Sequence, residues 1–214
     1  MVTLLGAFRR ERNGLVADTM HYDGTRYGLN YGVSLPTVRR LARSGERDHA
    51  FACFLLQQQV RELQLAAFHL ADPARLTDRA EALRWRAALV NTELAEEAAF
   101  ALLSRSEALP TFFMEWIGGG EPLPCYAVLL AAARAPRPSV AWLDPMIGAL
   151  RRAATDSLLP PWAARRIAQG AVALAARLAE TDETAGERLR GMIDGFGDSA
   201  AERLFAEEVA WRIG

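Results

Sequence analysis

Apolar residues recur at helical spacing along almost the whole chain, and no stretch alternates apolar and polar residues as a half-buried strand would. That restricts the chain to all-α folds. The segment "QVRELQLAAFHLA" narrows the choice. Val60, Leu63, Leu65, Ala66, Ala67, Phe68 and Leu70 cover most of its circumference. A helix apolar nearly all round has neighbours on several sides, so this one is predicted to be central.

The periodicity predicts about a dozen helices. "VTLLGAFRRERNGLVADTMHY" reads as a first long helix weakened at Gly14, and "DGTRYGLNYG" as a link with a turn at Asp23-Gly24. A helix then starts at Ser34 and runs to about Arg43. Near the end, Thr184-x-x-Glu187 and Ser199-x-x-Glu202 read as capping boxes opening two further helices. Links as short as "DP", "GGGEP" and "APRP" force neighbouring helices antiparallel, and successive pairs then stack. The expected architecture is an α-α superhelix of antiparallel helix pairs, a HEAT-like or ARM-type solenoid forming one domain over 1–214. A globular helical bundle is the competing arrangement.

With 214 residues, 51% of them hydrophobic, the chain can bury a large core. It has no apolar run of about 18 residues, so no membrane span is expected, and "MVTLLGAFRRERNG" lacks the regions of a signal peptide. Cys53 and Cys125 sit in apolar helical patterns and read as buried free thiols in a reducing cytoplasm. The five tryptophans, Trp85, Trp116, Trp142, Trp162 and Trp211, also lie in apolar patterns and read as core.

All 25 basic residues are arginine, whose planar fork suits phosphate and carboxylate. The net charge of −1 is unevenly spread: residues 1–47 carry +4, residues 48–179 are neutral, and residues 180–214 carry −5. Such a chain can meet a polyanion with its front part. Arginines cluster at Arg39/Arg40, Arg151/Arg152 and Arg165/Arg166, with Arg84 and Arg86 two apart. They could form one track of phosphate contacts, or pair with acids across helix surfaces.

"YGVSLPTVRRLAR", Tyr31 to Arg43, looks like the recognition half of a helix-turn-helix. That motif needs a helix running into the turn. Gly24 and Gly28 interrupt any such helix, so groove reading is not expected. Leu35, Val38, Leu41 and Ala42 make the stripe to be buried, Pro36 sits in the first turn, and Arg39, Arg40 and Arg43 are predicted to lie together on the outer face.

The same stretch, with "DHAFACFLLQQQVRELQLAAFHLADP", resembles the DNA alkylation repair family, HEAT-like relatives of the bacterial alkylpurine DNA glycosylase. Three features over roughly residues 10–135 carry the resemblance: an aromatic-Gly-Val turn, a Pro-containing start to a basic helix, and a later helix opening on Arg-Glu. It implies a basic concave surface holding duplex DNA, alkylated or not, with Arg39, Arg40, Arg43, Arg84, Arg86, Arg151 and Arg152 as candidate DNA contacts. It also implies base excision, in which a carboxylate stabilises an oxocarbenium-like species. The family's central helix matches "VNTELAEEAAF": its carboxylate position falls on Glu97, its Trp position on Glu93, and Tyr31 would stand near the site. The family's Arg and second Trp have no counterpart in "PLPCYAVLL" or "ARRIAQGAVALAARLAE".

Without the resemblance, Glu93, Glu96 and Glu97 read as first-turn acids complementing a helix dipole. His21, His49 and His69 are scattered; His49 and Cys53 share a helix face, but two ligands make no zinc site. No metal or cofactor is expected. The alternative function is a non-catalytic HEAT-like scaffold whose groove takes a protein partner.

Overall fold

The computed structural model describes residues 1–20 with their side chains, the backbone of 21–22, and residues 27–77 and 79–213. The turn read at Asp23-Gly24 lies outside the described residues. The helices gather into two compact units, 1–102 and 103–214. The first holds α1 (Val2–Arg10), α2 (Gly14–Tyr22), α3 (Leu35–Arg43), α4 (His49–Leu56), α5 (Arg61–Leu70), α6 (Arg79–Ala87) and α7 (Thr92–Ala101). The second holds α8 (Leu109–Gly118), α9 (Pro122–Ala133), α10 (Leu143–Thr155), α11 (Pro161–Thr181), α12 (Glu183–Met192) and α13 (Ala200–Ile213). Among the described residues, β pairing is limited to an isolated parallel bridge between Leu29 and Val60.

The first unit is organised around α5, as its all-round apolar pattern predicts. Every residue of α5 but Gln64 is buried, and the helix packs against α3, α4 and α7. The expected long first helix is instead two helices, because a tertiary contact captures the residues between them. The Asn13 backbone N–H donates to the Tyr31 carbonyl at 2.8 Å, which takes Asn13 out of the helical ladder. Helix α3 starts as expected, with the Ser34 hydroxyl capping Thr37 N–H and Pro36 in the first turn.

In the second unit the 21-residue α11 is central, packing on α9, α10, α12 and α13. Gly170 sets its approach to α9: a Cβ there would lie 2.9 Å from Cβ of Leu129 and 3.1 Å from the Tyr126 ring. Helix α13 opens on the expected Ser199 cap, whose hydroxyl accepts from Glu202 N–H at 3.2 Å. Helix α12 does not open on Thr184: the Asp182 carboxylate accepts from Ala185 N–H at 2.8 Å. A carboxylate both caps and complements the helix dipole, so it displaces the threonine. Trp85, Trp116 and Trp142 are core, whereas Trp162 and Trp211 are exposed, at 50% and 81%. Both lie on terminal turns, Trp162 at the start of α11 and Trp211 near the end of α13.

Candidate nucleic-acid interface

The turn before α3 is held by the start of α5. Gly32 adopts φ +68°, and a Cβ there would lie 1.9 Å from the Asn13 carbonyl oxygen, so glycine is required for both conformation and space. On either side of it, Tyr31 N–H and Val33 N–H donate to the two carboxylate oxygens of Glu62, each at 3.2 Å. The neighbouring Arg61 donates from Nη1 to the Val33 carbonyl at 2.8 Å. It also forks onto Glu93, with Nε–Oε2 at 2.8 Å and Nη2–Oε1 at 2.5 Å. Tyr27 completes the cluster, its hydroxyl donating to Glu93 Oε2 at 2.6 Å. Burial and then the Glu93 charge raise the Tyr27 pKa far above its ordinary value. Burial alone would lower the Arg61 pKa, but the bonds from Glu93 and the charges of both glutamates raise it. The aromatic-Gly-Val turn and the Arg-Glu helix start are thus two halves of one clamp. Its chemistry is that of a fixed scaffold: every charge has its partner.

A second ionic chain runs from α7 to α3. Glu97 is 1% exposed, and Arg39 forks onto it, with Nε–Oε1 at 2.9 Å and Nη2–Oε2 at 2.6 Å. His69 of α5 bonds the same Oε1 through Nε2. On the other side of the imidazole, Arg43 Nε donates to Nδ1 at 3.2 Å. An arginine N–H can only donate, so Nδ1 accepts from Arg43 and Nε2 carries the proton donated to Glu97. Burial pushes the Glu97 carboxyl up, but the hydrogen bonds from His69 and Arg39 outweigh it and hold the pKa at about 2. The Arg39 pKa is raised in turn, chiefly by its bond to Glu97.

This placement corrects two sequence readings. Glu97 is the sixth residue of α7 and is paired inward, so its charge answers two side chains and not a helix dipole. Arg39, Arg40 and Arg43 do not share an outer face: Arg39 and Arg43 reach inward to Glu97 and His69, while Arg40 is 63% exposed and lies 3.6 Å from Glu11. Of the other candidates, Glu93 joins the Arg61 clamp, and the Tyr31 hydroxyl accepts from Arg9 Nε at 3.1 Å. Arg84 pairs with Glu81 at 3.0 Å, and Arg86 is half-buried. Arg151 and Arg152 belong to the second unit, where Arg151 lies over the Phe196 ring and Arg152 Nη2 caps the Ile117 carbonyl at 2.9 Å. The clamp residues Arg61 and Glu62, and with them Tyr27 and His69, were not expected at a site. Polar side chains inside an otherwise apolar helix, Arg61, Glu62 and His69, are the signal that marks three of them.

Glu81 joins His49 and Cys53, bringing three potential metal-ligand atoms within 4.8 Å of one another. The donor set does not fit a metal. His49 Nδ1 accepts from Asp72 N–H at 3.3 Å, so its proton is on Nε2, which faces Glu81 Oε2 at 3.2 Å. Trp85 Nε1 and Arg84 also donate to Glu81. The group borders a cleft of about 1190 Å³ whose rim mixes Arg47, Arg75 and Arg84 with Glu46, Asp48 and Asp72.

No protein-family model and no curated protein matches the chain. The helices have the all-α HEAT-like fold expected from the sequence. A solved structure aligns with a TM-score of 0.73 over 99% of this chain and 95% of its own, at 16% identity. It is described as representing "a new family of proteins related to the HEAT-like repeat DNA glycosylases with affinity for branched DNA structures".

Proposed function

We propose that this protein binds DNA through arginine contacts to the phosphate backbone, prefers branched over simple duplex DNA, and excises no base. The observation that carries this reading is full-length likeness to a fold whose bearer has affinity for branched DNA, on a chain whose only cations besides histidine and the terminus are guanidiniums. The state of Glu97 argues against excision. A carboxylate that stabilises a developing oxocarbenium must face the sugar, whereas Glu97 is buried and its charge is already answered by Arg39 and His69. The two buried free thiols suit work in a reducing cytoplasm. Among the described residues, no helix is long and apolar enough to cross a membrane.

Fluorescence anisotropy across a salt series tests this, comparing a labelled three-way junction, a plain duplex and a duplex carrying an alkylated base. Expected are tightest binding to the junction, steep weakening with salt, and no released base from the alkylated duplex. Equal affinity for all three removes the branched preference; base release removes the non-excising part. A second reading, a scaffold taking a protein segment, is favoured by the mixed lining of the large cleft. It gains if no DNA binds at low salt.

A further inference from the structure

We infer that Arg39 and Arg43 form a braced two-guanidinium seat for a phosphodiester, with Glu97 and His69 acting as its positioning residues. This rests on the DNA-binding reading. The pair stands at i and i+4 on α3, on one side of the helix. Each arginine is fixed from behind through its Nε: Arg39 on Glu97 and Arg43 on His69, which in turn bonds Glu97. The brace is one continuous hydrogen-bonded chain, Arg39–Glu97–His69–Arg43.

The outward edges remain available. Arg39 uses Nε and Nη2, and among the described residues its Nη1 and both Nη groups of Arg43 have no partner. Arg39 is 35% exposed and Arg43 is exposed. Two guanidiniums against the one carboxylate of Glu97 leave the cluster with a surplus of positive charge, while exposed Arg40 beside it is paired with Glu11 at 3.6 Å. A flexible surface arginine loses rotamer freedom when it grips a phosphate, whereas a braced one has lost it already. An anion with several acceptor oxygens, held by N–H groups from two fixed forks, is what this arrangement suits.

The test is the salt dependence of binding to the labelled three-way junction for the wild type, Arg43→Gln, His69→Leu and His69→Gln, each checked for folding by circular dichroism. Losing one phosphate contact lowers the slope of log K against log salt by about 0.9, so Arg43→Gln is expected to show that drop. His69→Leu removes the brace and keeps both cations. It is expected to weaken binding about three- to tenfold with the slope retained, and His69→Gln, whose amide oxygen can accept from Arg43, to recover part of the loss. An unchanged slope in folded Arg43→Gln overturns the seat; unchanged affinity in folded His69→Leu overturns the brace. If the wild type binds no DNA, the functional reading fails separately. Titration with inorganic phosphate, followed by the Nε–H resonances of Arg39 and Arg43, then decides: shifts at both support the seat, and their absence overturns it.

Discussion

Glu97→Gln isolates the charge at the centre of the α3–α5–α7 chain. Glutamine keeps the shape of the side chain but places an NH2 where an oxygen now accepts, so in either orientation it faces an Arg39 N–H, and in one of them the His69 Nε2–H as well. Holding the carboxyl at about 2, against 4.5 for a free one, corresponds to about 3 kcal/mol of stabilisation at neutral pH. Arg39 is about one-third exposed and can turn toward water once its partner is lost, so the net cost is expected at about 2–3 kcal/mol. For a chain of this length that lowers Tm by roughly 4–12 °C.

The pH dependence separates this cause from mere loss of packing. The depressed pKa means that the contribution is fully present above about 4.5 and is lost as pH falls through about 2. Thermal unfolding of wild type and variant, followed by circular dichroism from pH 7 downward, should show the full gap at neutral pH. Below about 4.5 it should narrow, with both proteins converging toward pH 2. A gap that stays constant into the acid range would refute the ionic account, as would no gap at pH 7.

Gly32→Ala is expected to cost several kcal/mol, because a Cβ meets the Asn13 carbonyl in a backbone conformation that also disfavours it; a Tm within 2 °C of wild type would show that the turn relaxes freely. Arg61→Met leaves Glu62 and Glu93 without their common cation and should cost about 3–5 kcal/mol, read as a lower urea midpoint. Burial, only partly offset by the Arg152 charge, pushes the Cys125 thiol up to about 12. Iodoacetamide at pH 8 should therefore leave Cys125 unlabelled in the native protein and modify it on unfolding, as followed by mass spectrometry; equal native and unfolded rates would contradict this.

The all-α fold, the central place of α5 and the Ser34 start of α3 follow from spacing and caps, which are local quantities that a single segment carries. The ionic chains do not follow, because their partners are remote: Arg39 and Glu97 are 58 residues apart, Arg61 and Glu93 32, and His69 and Glu97 28. Spacing places Arg39 and Arg43 side by side but cannot say which way that side faces, and an arginine stem can lie on apolar surface whether its head points out or in. What turns them inward is the acid beneath. Glu97 stands among Leu94, Ala95, Ala98, Ala99 and Ala101, all buried, and a lone carboxylate on such a face must find a cation or stay protonated. Glu62 makes the same case on α5, flanked by Arg61 and Leu63. A charge embedded in an apolar face is therefore the most informative residue in such a helix, since burial dictates that a partner exists even when the sequence cannot say where it lies. In a chain with no lysine that partner is an arginine, whose several N–H groups let it satisfy a buried carboxylate on one edge and still present donors to solvent on the other.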